Sequence, residues 1–581
     1  MRALSAPRFL IDRAVPDRKR VELAAKRFRL RLCFDACGVR AFVSPGYVIR
    51  LDDNRGVILG TLFDRNGPPE PTGEFTEDQQ KLITAKGARA LLENHWGAYC
   101  ALLFDGEAFN VLRDPSGGMP VYYTGVAGSC LLGSDPEIIA DTGYWTPAVS
   151  WDDLATHLYT RGLPSPDTSL EGLSELLPGT ACNICDASMR VEGLWSPWDH
   201  AQPETVSDAS EQAEVLHRTI QNVVSAWSSR YPSILIGVSG GLDSSIVAAS
   251  IPARRTQVTG VTLVTDDPDG DERLFTRLLE EGIGLEILDL QYDLGDIDLG
   301  TSCVAHLARP IGRSHALAYD RAMHRIARER GIDAFFSGNG GDNIFYYTQS
   351  ANPIADRLLK NGLGIGVFQT WRDVCRLTGC TPVEAAAATI ESIRTRGRGY
   401  KWQPDTCFLH ADLMAHLAVS PVKHPWLDDS RARLPGKAAH VAALLRIQPC
   451  LEGYDRRLPA MVNPLMSQPV LEKCLAVPSW MWVDGGRDRA LARSAFRRIL
   501  PSGISERRSK GGPDGFANQI ITMHRAEILE RLTGGHLARQ KIIDCDEIVS
   551  VLSNDKPNLG TDQARLLSLV DTEAWVAHWS P

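Results

Sequence analysis

The sequence predicts an α/β protein in two parts, a strand-rich first part followed by a doubly wound parallel sheet that carries extra helices. Three observations carry that expectation. Between residues 233 and 336, apolar runs of strand length alternate with helical stretches, the pattern of βαβ units and hence of a parallel sheet. A glycine-rich turn, Ser239-Gly240-Gly241-Leu242-Asp243-Ser244-Ser245, joins one of these strands directly to a helix start. Before about residue 200 the pattern is one of short alternating strands.

Taken in order, the run at 233–238 reads as a buried strand, and Ile246-Val247-Ala248-Ala249 opens the helix that follows Asp243. Strands are expected at 258–264 and 285–290, flanking a helix that starts near Asp271-Glu272. A helix over 316–330 leads to a strand at Ala334-Phe335-Phe336. From about 350 to 581 the pattern is mainly helical. The polar stretch at 200–210, with Pro203, Ser207 and Ser210, divides the chain into expected domains at 1–205 and 206–581.

A chain of 581 residues is too long for one core. With 44% apolar and 23% charged residues, its composition is that of a globular protein. The formal charge of -9, with no long basic tract, argues against nucleic acid as a partner. No apolar stretch reaches membrane-spanning length, and Arg8, Asp12 and Arg13 interrupt the region where a signal peptide needs an apolar core, so a cytoplasmic location with no membrane partner is expected. Thirteen scattered cysteines make a poor disulfide framework, and Cys182-Asn183-Ile184-Cys185 lacks the second ligand pair of a zinc site.

Ser239 to Ser245 has the makings of a phosphate cradle, since glycines let the backbone approach closely and a helix N-terminus favours oxyanions. An aspartate inside an anion site implies an accompanying cation, so the expected guest is Mg-nucleotide. The spacing and lysine of a Walker loop are missing. A second turn, Ser337-Gly338-Asn339-Gly340-Gly341-Asp342, follows the strand ending at Phe336, and ligands of such sheets collect at strand ends. Asp342 is therefore expected to face Asp243, two carboxylates suited to one magnesium ion. Further on, Arg508-Ser509-Lys510-Gly511-Gly512-Pro513 puts a lysine in a glycine-rich loop, after a helix expected to contain Arg487, Arg489 and Arg493. Lys510 could hold phosphate oxygens there and stabilise developing charge, or be a solvated surface lysine.

Together these segments resemble asparagine synthetases, β-lactam synthetases and lasso-peptide cyclases. The resemblance implies that 206–581 is an ATP-pyrophosphatase domain that cleaves ATP between its α and β phosphates. It implies ATP contacts by Ser239, Gly240, Gly241, Asp243, Ser244, Ser245, Val264, Ser337 and Gly338, magnesium held by Asp243 and Asp342, and catalysis by Asp243, Asp342 and Lys510. Asp271-Glu272 matches the family's acidic pair. Upstream, Arg113-Asp114-Pro115-Ser116-Gly117-Gly118 resembles the signature of the family's glutaminase-like (Ntn-type) α/β sandwich, whose nucleophile is an N-terminal cysteine. Met1 is followed by Arg2 and Ala3, so the first domain is expected to be a scaffold that makes no ammonia.

Asn339 stands where asparagine synthetases carry Glu and β-lactam synthetases a catalytic Tyr, and an amide is no general base. A nucleophile that is already a good amine needs less help. Segments at 424–427, 434–440, 464–469 and 485–489 resemble those of lasso cyclases. The expected activity is therefore AMP-forming macrocyclisation of a precursor peptide, with a leader-binding protein and a leader peptidase as implied partners. An ammonia-dependent asparagine synthetase or another amide ligase is the alternative, and a non-catalytic scaffold a third. His424 and His440 read as packing residues, and Tyr400, Trp402 and Trp426 either line a peptide cavity or fill a core.

Overall fold

The computed structural model describes residues 7–580 except 127–128, 185–188, 203–207, 253–255, 265–270, 292, 312–315, 397–399, 420–421, 430, 432, 452–458, 509–513 and 554–561. The first twelve strands are β1 (Phe9–Arg13), β2 (Arg31–Ala36), β3 (Val39–Val43), β4 (Val48–Arg50), β5 (Gly56–Asp64), β6 (His95–Phe104), β7 (Phe109–Arg113), β8 (Tyr122–Val126), β9 (Ser129–Gly133), β10 (Ser174–Glu175), β11 (Thr180–Ile184) and β12 (Met189–Gly193). They form two antiparallel six-stranded sheets, ordered β10-β8-β9-β1-β3-β2 and β12-β11-β7-β6-β5-β4. Alternate residues such as Ile11, Ala41 and Leu132 of the first sheet and Leu59, Leu102 and Val111 of the second share one buried cluster, so the sheets pack face to face.

The parallel sheet contains β13 (Ser233–Gly237), β14 (Gln257–Leu263), β15 (Ile287–Leu290), β16 (Ala334–Phe336) and β17 (Ala460–Val462), in the order β15-β14-β13-β16-β17. All four pairings are parallel. The first four strands and the helices Leu242–Ser250, Arg273–Ile283 and Leu317–Arg330 lie where the pattern placed them, whereas β17 had not been expected. Successive strand residues face opposite sides. Leu235, Val261 and Phe335 pack with Ala322 and Met323 of helix Leu317–Arg330, while Ile234, Ile236 and Phe336 pack with Ile246 and Val247 of helix Leu242–Ser250 and with helix Ala209–Ser229. Helices thus cover both faces of the sheet, the doubly wound arrangement. The order of the strands reverses direction between β13 and β16, and there the two glycine-rich loops emerge side by side.

The boundary expected at 205/206 falls at residues outside the described set, with the sandwich before it and the parallel sheet after it. Apolar and ionic contacts join the two parts. Trp227, from helix Ala209–Ser229, meets Phe63 edge-on at 4.9 Å and Trp96 at 6.2 Å. Arg65 donates to Glu472 at 2.5 Å. The signature arginine Arg113, almost fully buried, donates to Glu175 at 2.6 Å, and Arg309 from the parallel-sheet part donates to the other Glu175 oxygen. Burial of Glu175 favours its neutral form, but Arg309 and Arg113 outweigh this and hold its pKa below the usual value. The helix Asp562–Trp579 is anchored in the parallel-sheet part, where Trp575 Nε1 donates to Leu307 O at 3.0 Å, and it reaches the sandwich through Trp579, 6.4 Å from Trp145.

Candidate active site

A cavity of about 970 Å³ opens at the carboxyl ends of β13, β14 and β16. Its floor is the first glycine loop. Gly241 caps helix Leu242–Ser250, and Asp243 sits in that helix's first turn, where the N–H groups lack intrahelical partners. Ser239 N donates to Ser244 Oγ at 3.4 Å, which holds the loop curled over the helix start. The second loop lies against the first so closely that only glycine fits at two positions. A Cβ on Gly338 would stand 2.4 Å from Ser244 N, and one on Gly341 would stand 2.2 Å from Asp243 Cγ. Ser337 Oγ donates to Asn463 Oδ1 at 2.6 Å and accepts from Asn339 N at 3.1 Å, so the residue just past β17 orients this loop.

The apposition brings Asp243 and Asp342 to one point. Arg489 Nη1 donates to Asp243 Oδ2 at 2.9 Å and to Asp342 Oδ1 at 2.5 Å. Arg489 Nε and Nη2 face Asp488 at 2.9 and 2.8 Å, and the guanidinium lies 5.6 Å from the centre of the Tyr347 ring. Burial works against its charge, but the carboxylates of Asp243, Asp342 and Asp488 more than offset this and raise the Arg489 pKa. Its backbone is left-handed, with φ 51°, immediately before helix Ala490–Phe496. That helix contains Arg493, but Arg487 and Arg489 precede it, contrary to expectation.

Arg507 forms a second ionic brace. It donates to both oxygens of Glu272, one of them at 2.9 Å, and to Ser239 O at 3.2 Å, and it stacks 3.5 Å from the centre of the Phe275 ring. The expected acidic pair therefore divides. Glu272 lines the cavity, whereas Asp271 turns to Arg273, which holds its pKa down to about 2.

A comparison with known families decides what this site belongs to. The asparagine synthase family matches residues 232–428 and 461–577, just over half of the chain. The chain belongs to the asparagine synthase family. Its activity class is accordingly that of an ATP-dependent carbon-nitrogen ligase, and both glycine loops fall inside the matched segments. No curated protein matches the chain significantly. Two similar solved structures are the allosteric regulatory enzyme of purine biosynthesis and the glutamine phosphoribosylpyrophosphate amidotransferase from B. subtilis complexed with ADP and GMP. They are 14% and 12% identical to the chain, cover 49% and 57% of it and 80% and 90% of their own lengths, and each has a TM-score of 0.22.

Of the residues singled out in this asparagine synthase family chain, Ser239, Gly241, Asp243, Ser244, Ser337, Gly338 and Asp342 line the one cavity. Gly240 lies behind it against Phe275, with φ 59°, and Ser245 is fully buried one residue beyond the lining. Val264 lies just past β14, its N–H committed to Leu290 O at 3.0 Å, and the cavity wall there is formed by Val261, Thr262 and Leu263. Lys510 lies outside the described residues, although Arg507 and Arg508, just before it, line the cavity. The cavity-lining Tyr347 and the loop-orienting Asn463 were not foreseen.

His424 and His440 are structural. His424 Nδ1 accepts from Trp426 N at 3.1 Å, and burial lowers its pKa to about 4. His440, fully buried, pairs through Nε2 with Ile344 O at 2.9 Å, and burial lowers its pKa as well. Trp402 and Trp426 are core residues with Tyr400 packed against the same cluster, and none of the three lines the cavity. Cys182 is buried in β11, and Cys185 lies outside the described residues. Among the described residues no helix is long and apolar enough to cross a membrane, and no group of three or more His, Cys, Asp or Glu side chains is placed to hold a metal ion.

Proposed function

We propose that this chain adenylates an Asp or Glu side chain of a precursor peptide and joins it to the peptide's own N-terminal amine, closing a lasso-type isopeptide ring with release of AMP and pyrophosphate. The observation that carries the reading is the convergence of Asp243 and Asp342 on one cationic nitrogen in a cavity of about 970 Å³. Two carboxylates from adjacent strand ends, already facing one cation, fit a magnesium ion that arrives with nucleotide phosphates. The metal would offset phosphate charge as pyrophosphate leaves. A cavity at the upper end of the usual range for ligand pockets, about 300 to 1,000 Å³, leaves room beyond a nucleotide, towards Tyr347, Gln349, Arg376 and Arg487, for a peptide acceptor.

The residues divide the work. Ser239, Gly241 and Ser244 hold phosphate oxygens at the helix start. An acceptor carboxylate oxygen attacks the α-phosphorus, the bond to the bridging oxygen breaks, and a mixed anhydride remains. The peptide amine then attacks the acyl carbon, loses a proton, and AMP leaves. Lys510 stabilises the charge that develops in both steps. Asn339 lines the cavity and supplies no base, which suits an α-amine nucleophile. Because the two reacting groups belong to one peptide, positioning of the folded chain supplies much of the rate. In this reading the sandwich is a scaffold, ATP and Mg2+ are the cofactors, and a leader-binding protein and a leader peptidase prepare the peptide.

The test is to incubate the protein and Mg-ATP with the peptide encoded by a short open reading frame beside its gene. The expected result is peptide-dependent AMP release with a peptide product lighter by one water. AMP formation from free aspartate and ammonia without peptide would instead establish the asparagine synthetase alternative, and nucleotide binding with no AMP under either condition would make the chain a scaffold. In the same assay, glutamine is expected to release no glutamate above a control without enzyme. Burial pushes the Cys33 and Cys130 thiols of the sandwich up to about 12, the opposite of an activated thiolate nucleophile. Glutamate release at a rate matching AMP formation would overturn the scaffold assignment.

A further inference from the structure

We infer that Arg489 is an internal counter-ion that holds the Asp243 and Asp342 carboxylates together without nucleotide, and that Mg-nucleotide binding moves its guanidinium from them to the incoming phosphates. The inference rests on the metal reading of the two aspartates given above. One nitrogen of Arg489 accounts for both contacts, so a divalent cation held by the same two oxygens and Nη1 would compete for one position. Like charges at that range repel strongly in a site only one-tenth exposed at Arg489.

The arm is built to release one end and keep the other. Asp488 holds Arg489 through Nε and Nη2, and Asp488 is itself fixed by Arg493 Nη2 at 2.8 and 3.1 Å and by Arg493 Nε on its carbonyl at 2.9 Å. Arg493 is tied in turn to Ser505 O at 2.9 Å. Both contacts go to the one oxygen Oδ2 of Asp488, so the rigid guanidinium can pivot about that atom, which carries Nη1 away from the carboxylates while the side chain stays beside the site. The face of Tyr347 lies alongside, and a planar cation can slide along it without losing its aromatic contact. The anion best placed to receive the released Nη1 is a phosphate cradled by Ser239, Gly241 and Ser244 in the same cavity.

The experiment measures manganese(II) binding by electron paramagnetic resonance, first alone and then with α,β-methylene-ATP, for the wild type, Arg489→Gln and Arg489→Lys. Without nucleotide, Arg489→Gln should bind manganese about tenfold more tightly, because a competing charge at contact range has gone. With the nucleotide analogue the order should invert, Arg489→Gln binding the complex about tenfold more weakly, the usual scale for a lost charge-assisted contact. Equal or weaker manganese affinity in nucleotide-free Arg489→Gln would overturn the counter-ion role, and unchanged affinity for the analogue complex would overturn the transfer to phosphate. Should Arg489→Gln fail to fold, Arg489→Lys carries the same test, because a shorter point charge bridges two carboxylates poorly and its two affinities should shift in the same directions by a smaller factor. An Asp342→Asn control separates the two levels. If it binds the manganese complex like the wild type, the metal reading itself fails, whatever Arg489 does.

Discussion

Asp243→Asn and Asp342→Ala proteins are expected to lose AMP formation by a thousandfold or more while keeping the wild-type fold. Removing one preorganised electrostatic group from a reacting centre costs on the order of a hundred- to a thousand-fold in rate, and a ligand shared by metal and phosphate chemistry falls at the top of that range. The fold should survive because neither carboxylate fills a core. The Asp342 side chain is 42% exposed, and asparagine at 243 keeps the volume beside Gly341. Arg489 retains Asp488 and one of the two aspartates in either variant, so no buried charge is left uncompensated. Steady-state AMP release with peptide and Mg-ATP, together with circular dichroism, checks both halves. Turnover near the wild-type rate in either variant at ordinary magnesium would contradict the assignment of the pair.

Lys510→Ala is expected to lower turnover by about a hundred- to a thousand-fold with a much smaller effect on the Michaelis constant for ATP, because its ammonium should matter most as pyrophosphate charge separates and the tetrahedral intermediate forms. Lys510→Arg should not restore the rate fully, since a planar guanidinium does not reproduce a compact point charge. The measurement is AMP release across a range of ATP concentrations. Unchanged turnover with only a raised Michaelis constant would make Lys510 a ground-state phosphate contact.

Much of the parallel-sheet half was legible because its strands carry continuous apolar runs and its glycines punctuate strand ends. Ser233–Gly237 with the turn at 239–241 is the clearest example. The fifth strand escaped because Ala460–Val462 is only three residues long and its pairing with β16 is a tertiary fact. That the two aspartates face each other was legible from their loops, but the arginine that joins them was not. The position of Arg489 depends on a left-handed backbone and on the approach of a segment distant in sequence, neither of which leaves a periodic signal. The pair Asp271-Glu272 shows the same limit at closer range, since adjacent residues entering a helix face different ways. Val264 missed the cavity because sequence patterns locate strand ends less sharply than strands. In the sandwich, Arg113 was recognisable from its signature, whereas its use as a brace through Glu175 to Arg309 follows from packing between the two parts.

Adenylation of the acceptor carboxylate is the step on which the whole account turns, and oxygen transfer reports it directly. A peptide whose Asp and Glu side-chain carboxylates carry oxygen-18 should yield AMP with one labelled oxygen, because the acyl–oxygen bond to the α-phosphorus is made first and the acyl carbon is released from that oxygen when the amine attacks. The account predicts one label in each AMP formed per ring closed, read by mass spectrometry of the nucleotide. Unlabelled AMP, or label appearing in inorganic phosphate with ADP as the nucleotide product, would contradict it.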